Sequence, residues 1–334
     1  MGDSKRRLLA GRRSVLLGTA GLASAALAAC ATTESVGQST TSPASTALPS
    51  SAPAIPSAGP AAPPPPIEAL SSQQAAAAQQ SRAGNQAGAP PSNVSSGLAA
   101  LPDKEQIIAE FGGLRPKEWG LHVTGVVNGS ASRHAALTFD ACGGPGGTGC
   151  GQQLLATLRS LNVPATLFMN QRWIQANPGL AAELAADPLF ELANHGSQHR
   201  PLSVAGQAAY GIPGTAGVGA VYDEIMGNQP VLGQLTGKAA RFFRPGTAFY
   251  DEVTAAITRR LGLLPVNFTI NGDAGASYPA GAVAAEVGRT GAGDIVISHF
   301  NKPGSGTAAG YAKALPRLLD HGVTFAHLGD VLPL

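Results

Sequence analysis

After about residue 100 the hydrophobic positions follow two spacings. Short, nearly continuous apolar runs read as buried strands: residues 135–139 (AALTF), 165–169 (ATLFM), 190–193 (FELA), 240–243 (ARFF), 265–269 (PVNFT), 294–298 (DIVIS) and 323–325 (VTF). Between them apolar residues recur every three or four positions. Leu154, Leu155, Leu158 and Leu161 share one face of a helix expected over 152–161. Further helices are expected over 179–186, ending before Pro188, over 253–261, and over 311–320, where Pro316 marks a start or a kink. Repeated strand–helix units imply parallel strands. A segment of about 235 residues suits a single α/β barrel with a full core.

The chain before residue 99 lacks this pattern. Residues 1–30 read as an export signal: Lys5, Arg6, Arg7, Arg12 and Arg13 precede an apolar run over 15–29. That run is short for a bilayer span, which takes about 20 apolar residues. Arg12-Arg13 followed by Ser14-Val-Leu-Leu resembles a twin-arginine signal, and Leu27-Ala-Ala-Cys30 resembles a lipobox whose cysteine is lipidated. A lipid on Cys30 anchors a protein to a membrane without a spanning helix. Residues 31–98 are rich in Ala, Ser, Pro and Gln, hold no aromatic residue, and carry only Glu34, Glu68 and Arg82 as charges. Such a stretch buries too little apolar surface to offset its chain entropy and reads as a disordered linker. Residues 99–334 form the catalytic-domain candidate. The expected address is a membrane-anchored lipoprotein of the bacterial cell envelope.

Charge adds one exclusion. The formal net charge is +2, but residues 1–29 hold five basic residues and one acidic residue, which leaves −2 for the remainder. Nothing in that balance points to nucleic acid.

Candidate chemistry falls at strand ends, where barrel active sites gather. His195 and His199, in NHGSQHRPL, are four positions apart, which puts both rings on one face of a helical turn and suits a divalent metal. Asp140 ends the first run, Arg244 follows the 240–243 run, and His299 follows the 294–298 run. A carboxylate, an arginine and a further histidine around a metal are the parts of metal-assisted hydrolysis. His122, His134, His321 and His327 have no such companions and read as surface or satisfied core residues. Residues 206–219, including Tyr210, read as a loop near the mouth of the site.

From about residue 130 to 334, in order, these motifs resemble the polysaccharide deacetylases of carbohydrate esterase family 4. The resemblance implies a distorted (β/α) barrel of seven parallel strands. It also implies hydrolysis of N- or O-acetyl groups from a polysaccharide or oligosaccharide with a divalent metal, zinc above all, or cobalt, manganese or nickel. It makes Asp140 the general base, His195 and His199 metal ligands, and Arg244 of Arg244-Pro245 the residue that holds the base. His299 becomes the acid, with Asp273 of Asn271-Gly-Asp273 as its partner.

One position departs from the family. Its signature continues with a second aspartate, a metal ligand, where this chain has Ala141. Three replacements are open: Asp140 itself, a water, or the thiolate of Cys142. Cys142 can instead pair with Cys150 in a disulfide, the favoured expectation because these are the only cysteines after Cys30 and are close in sequence. The departure keeps a metal-poor, non-catalytic carbohydrate-binding relative open as an alternative. A hydrolase of another C–N bond on the same scaffold is the other.

Overall fold

The computed structural model describes residues 101–332, so the expectations for the export signal, Cys30 and the linker lie outside the described residues. Asp103 Oδ1 accepts from the Gln106 N–H at 2.8 Å, and Gln106 Oε1 accepts from the Asp103 N–H at 3.0 Å. This capping box starts α1 (Lys104–Phe111). After β1 (Trp119–Gly120) the chain runs through β2 (Ala136–Ala141), α2 (Gln152–Ser160), β3 (Ala165–Met169), α3 (Gln171–Ala176), α4 (Pro178–Ala186) and β4 (Phe190–Asn194). A long loop leads to α5 (Val218–Met226), α6 (Gln229–Thr236), β5 (Phe242–Phe243), a 3₁₀ turn (Gly246–Ala248), β6 (Tyr250–Asp251) and α7 (Glu252–Arg260). Then follow β7 (Leu264–Pro265), β8 (Ile270–Asn271), α8 (Ala280–Val287), β9 (Ile295–His299), α9 (Thr307–Asp320) and α10 (Leu328–Val331).

Seven strands form one parallel sheet in the order β7-β5-β4-β3-β2-β9-β8. Parallel neighbours need long crossovers, and the helices supply them. The sheet curls but is not closed between β7 and β8, giving the distorted (β/α) barrel of seven parallel strands expected from the sequence. β1 and β6 pair separately and antiparallel.

Strand alternation sorts β2 between two layers. Leu137, Phe139 and Ala141 pack outward with Leu154, Leu155 and Leu158 of α2 and Tyr311 and Leu315 of α9. Ala136 packs inward with Phe168, Phe242, Ile295 and Ile297, over Leu328 and Val331 of α10. A third cluster joins α1, α5 and α7 through Ile107, Val221, Ile225 and Ile257.

Three expected elements differ from the sequence reading. Residues 265–269 do not form one strand: β7 stops at Pro265 and β8 starts at Ile270. Arg244 takes two of the intervening carbonyls, donating from Nε to Val266 O at 3.2 Å and from Nη2 to Asn267 O at 2.9 Å, so those two are lost to a ladder. Residues 323–325 make only a single bridge, Ala135 to Phe325, before the chain turns into α10. The last long helix begins at Thr307 rather than near 311, and the Thr307 hydroxyl is tied to Asp273 Oδ2 at 2.9 Å.

Candidate active site

Asp140 lies one register step inward of the outward-facing Phe139 and Ala141, at the C-terminal end of β2 beside His299 of β9. It is almost fully buried, and so is Arg244, which follows β5. Arg244 Nη1 donates to Asp140 Oδ1 at 2.8 Å and to Thr138 Oγ1 at 2.9 Å. With the bonds to Val266 and Asn267, four of the five guanidinium donors are used. The guanidinium carbon sits 4.2 Å from the centre of the Phe168 ring, a cation–π contact. Burial alone would raise the Asp140 carboxyl, but the charge of Arg244, helped by His299, holds it below the usual range. The Asp140 carboxyl is therefore held ionised and oriented. Its second oxygen, Oδ2, lies 3.7 Å from His195 Nε2.

His195 and His199 do not share a helical turn, contrary to the sequence expectation. They lie in the irregular segment after β4, with ring centroids 4.9 Å apart and planes at 80°. The Glu224 carboxylate of α5 folds that segment, accepting from the backbone N–H of Gln198 (2.9 Å) and Arg200 (3.2 Å) and from the Ser197 hydroxyl (3.2 Å). Gly196 adopts φ +80, and a Cβ there would collide with the Glu224 carboxylate. Gly246, just past Arg244-Pro245, lets the His199 backbone pass where a Cβ would block it. From the other side Asn170 Nδ2 donates to the carbonyls of His195 and Gly196, both at 2.9 Å. Sequence reading missed Glu224 and Asn170, because both act mainly on backbone groups and carry no motif.

His195 Nδ1 bonds the Arg244 carbonyl at 2.8 Å, so Nδ1 carries the proton and Nε2 presents its lone pair. That Nε2 is buried and has no partner. Burial holds His195 below the ordinary imidazole range against the pull of Asp140, which keeps the ring neutral. A neutral, aimed and unsatisfied imidazole nitrogen beside a second imidazole is what a divalent cation needs, so the donor set fits a metal.

Opposite stands His299, whose Nδ1 bonds Asp273 Oδ1 at 2.9 Å while its backbone N–H donates to Asp273 Oδ2 at 2.7 Å. Asp273 is fully buried and also accepts from Thr307. Burial would lower His299, but the Asp273 charge and hydrogen bond, with a smaller contribution from Cys142, hold it well above the usual range. The protonated form of His299 is thus favoured, with Nδ1 committed to Asp273 and Nε2 left as the other ring nitrogen.

Cys142 and Cys150 are both free, so the expected disulfide is not formed. Their surroundings differ. Cys150 packs beside the outer core, and its thiol is pushed up to about 11 by burial and by Glu183. Cys142 lines the cleft with the histidines. Burial would raise its thiol, but the neighbouring His199 and His299 bring it down to about 6. Its Sγ and one nitrogen each of His195 and His199 all lie within 4.8 Å of one another. Cys150 takes no part in that group.

These side chains line one cleft of about 460 Å³. Leu121, Ala248, Phe268 and Ile297 supply apolar wall, and Tyr210, 78% exposed, stands at the rim on the long loop after β4. Thr247 and Ala248 both have positive φ, 71° and 62°, where non-glycine residues are strained. The strained pair immediately follows Gly246 and forms part of the wall.

No curated protein matches the chain. The chain is similar in fold to a CE4 family pseudoenzyme from Bacillus anthracis, with a TM-score of 0.52 and 18% identity over 64% of this chain and 69% of that one. A mutant of that protein, described as having restored enzymatic activity, aligns with the same score and identity over 64% and 71%. A peptidoglycan N-acetylglucosamine deacetylase aligns with a TM-score of 0.52 and 20% identity over 62% and 92%. In sequence, residues 128–266 match the family model for polysaccharide deacetylase, a stretch that contains Asp140, Cys142, His195, His199 and Arg244. The chain is thus similar to the polysaccharide deacetylase family in sequence over residues 128–266, and to solved structures of that family in fold.

Proposed function

We propose that this protein is a metal-dependent hydrolase that removes acetyl groups from an acetylated cell-envelope or extracellular polysaccharide. One observation carries the reading: a base locked by Arg244, an unpartnered His195 Nε2 and an imidazolium backed by Asp273 all face one cleft. A divalent cation held by His195 and His199, zinc foremost, supplies Lewis acidity toward the acetyl carbonyl and the attacking water when bound. Asp140 takes the proton of that water through Oδ2, since Oδ1 is committed to Arg244. His299 gives a proton from Nε2 to the departing amine nitrogen, or to the oxygen of an ester. Acetate and the free sugar group leave, and the two residues regain their starting states by exchange with water. The apolar wall of Leu121, Ala248, Phe268 and Ile297 suits the acetyl methyl.

The sequence features of residues 1–30 support a location to match. A twin-arginine-like pair, an apolar run and Cys30 in a lipobox-like setting favour a lipid-anchored envelope protein with its catalytic domain on a linker.

The test is acetate release from a panel of acetylated glycans, measured as purified, after chelation and after adding zinc back. Release that chelation abolishes and zinc restores is expected. Absence of acetate from every glycan, with metal bound, would favour the non-catalytic alternative.

The acid role has its own readout. Asp273→Asn removes the charge that most raises His299, so the protonated ring is lost at lower pH. The alkaline limb of the kcat profile should move to lower pH, while the acid limb, set by Asp140, stays in place. An unmoved alkaline limb would remove His299 from the acid role.

A further inference from the structure

Resting on the reading of His195 and His199 as metal ligands, we propose that Cys142 Sγ is the third protein ligand. This chain then builds a Cys–His₂ centre with an open fourth position, rather than one that has lost a ligand at Ala141.

Strand geometry gives the first reason. Side chains of β2 alternate, and β2 remains a paired strand through Ala141, opposite Met169. Ala141 therefore joins Leu137 and Phe139 in the outer core, under the helices. A carboxylate at 141 on this backbone would face hydrophobic side chains. The next residue in the inward register of Asp140 is Cys142, which lines the cleft. The missing donor is thus replaced one position further along the chain, where the parity of the strand aims it correctly.

The second reason is the donor geometry. Cys142 Sγ, a His195 nitrogen and a His199 nitrogen lie within 4.8 Å of one another. Zinc bonds sulfur at about 2.3 Å and imidazole nitrogen at about 2.0–2.1 Å, which sets tetrahedral donors about 3.5 Å apart. The three donors need only close inward by about an ångström. His195 Nε2, buried and without a partner, already points to a ligand.

Chemistry supplies the third. A thiolate carries the same single negative charge as the carboxylate it replaces, so two neutral imidazoles and one anion would leave a divalent ion at the same net +1. Its softness favours zinc or cobalt and disfavours magnesium or manganese. Cys142 has no disulfide partner to withhold its sulfur. A bound metal would also shield this thiol, which otherwise opens to the cleft.

The experiment uses the full chain and metal alone as probe. Cobalt bound to wild type and to Cys150→Ser should show thiolate-to-cobalt charge-transfer absorption in the near ultraviolet, and Cys142→Ser should not. Losing even an outer-shell partner costs about 10- to 100-fold in metal affinity. Loss of a direct ligand in Cys142→Ser should therefore weaken zinc by at least about 100-fold. Zinc should slow alkylation of Cys142 in wild type. The wild-type spectrum and alkylation need no variant, so a misfolded Cys142→Ser leaves the test decisive. Cobalt bound at one equivalent without the charge-transfer band, with zinc affinity unchanged in Cys142→Ser, overturns the thiolate ligand and leaves the histidine reading standing. Unchanged metal binding in His195→Ala/His199→Ala overturns that underlying reading instead.

Discussion

Asp140→Asn is expected to lower kcat/KM for acetate release by about 100- to 10,000-fold, the span typical of a lost general base. The change is nearly isosteric. The amide oxygen can still accept from Arg244 Nη1, now 2.8 Å from Oδ1, so the side chain should keep its place. What disappears is the anionic Oδ2 that faces His195 Nε2 at 3.7 Å and the cleft beyond it. Far-UV circular dichroism should be unchanged and zinc should still bind, since the imidazole donors are untouched. Those two controls separate loss of the base from loss of the site. Turnover within a few-fold of wild type would show that some other group accepts the proton.

Arg244→Met should have the largest effect on stability, about 3–5 kcal/mol, the usual cost of removing one partner of a buried ion pair. Arg244 is fully buried, and its loss strands the Asp140 charge together with the carbonyls of Val266 and Asn267. For a domain of about 150–250 residues each kcal/mol moves the melting temperature by about 2–4 °C, so a fall of about 6–20 °C is expected. Methionine fills much of the volume and can still pack on Phe168, so the loss reports the charge and hydrogen bonds more than a cavity. Combining Arg244→Met with Asp140→Asn should restore part of the stability, because the stranded charge is then gone. A melting temperature within a degree or two of wild type for the single variant would mean that the pair contributes little to the fold. An unrestored double variant would assign the loss to the carbonyl contacts instead.

The long strands and their polar termini were legible because both signals are local. The runs around Asp140, His195 and His299 are apolar enough to name themselves, and each strand delivers its polar residue at the same end. The short strands were harder. β5, β7 and β8 have two residues each, and their placement depends on neighbours tens of residues away. Residues 265–269 carry the composition of a strand, yet Arg244 captures two of their carbonyls, and tertiary hydrogen bonding overrides propensity. α1 could have been found from Asp103 and Gln106, whose spacing is that of a capping box.

Glu224, Asn170 and Thr307 had no such signature. Each supports the site by bonding another residue's backbone or carboxylate. A side chain that recognises a backbone group leaves no mark in the sequence of its partner.

By itself the sequence determined the residue types of the site, their order along the chain and the parallel α/β class, because strand periodicity and strand ends are local properties. Only the tertiary structure decided which donors meet. It placed Ala141 in the core and Cys142 in the cleft, kept Cys142 apart from Cys150, and bent the histidine loop around Glu224. The reason is geometric: a one-residue change of register reverses the face a side chain presents. Where the strand ends is fixed by its partners across the sheet.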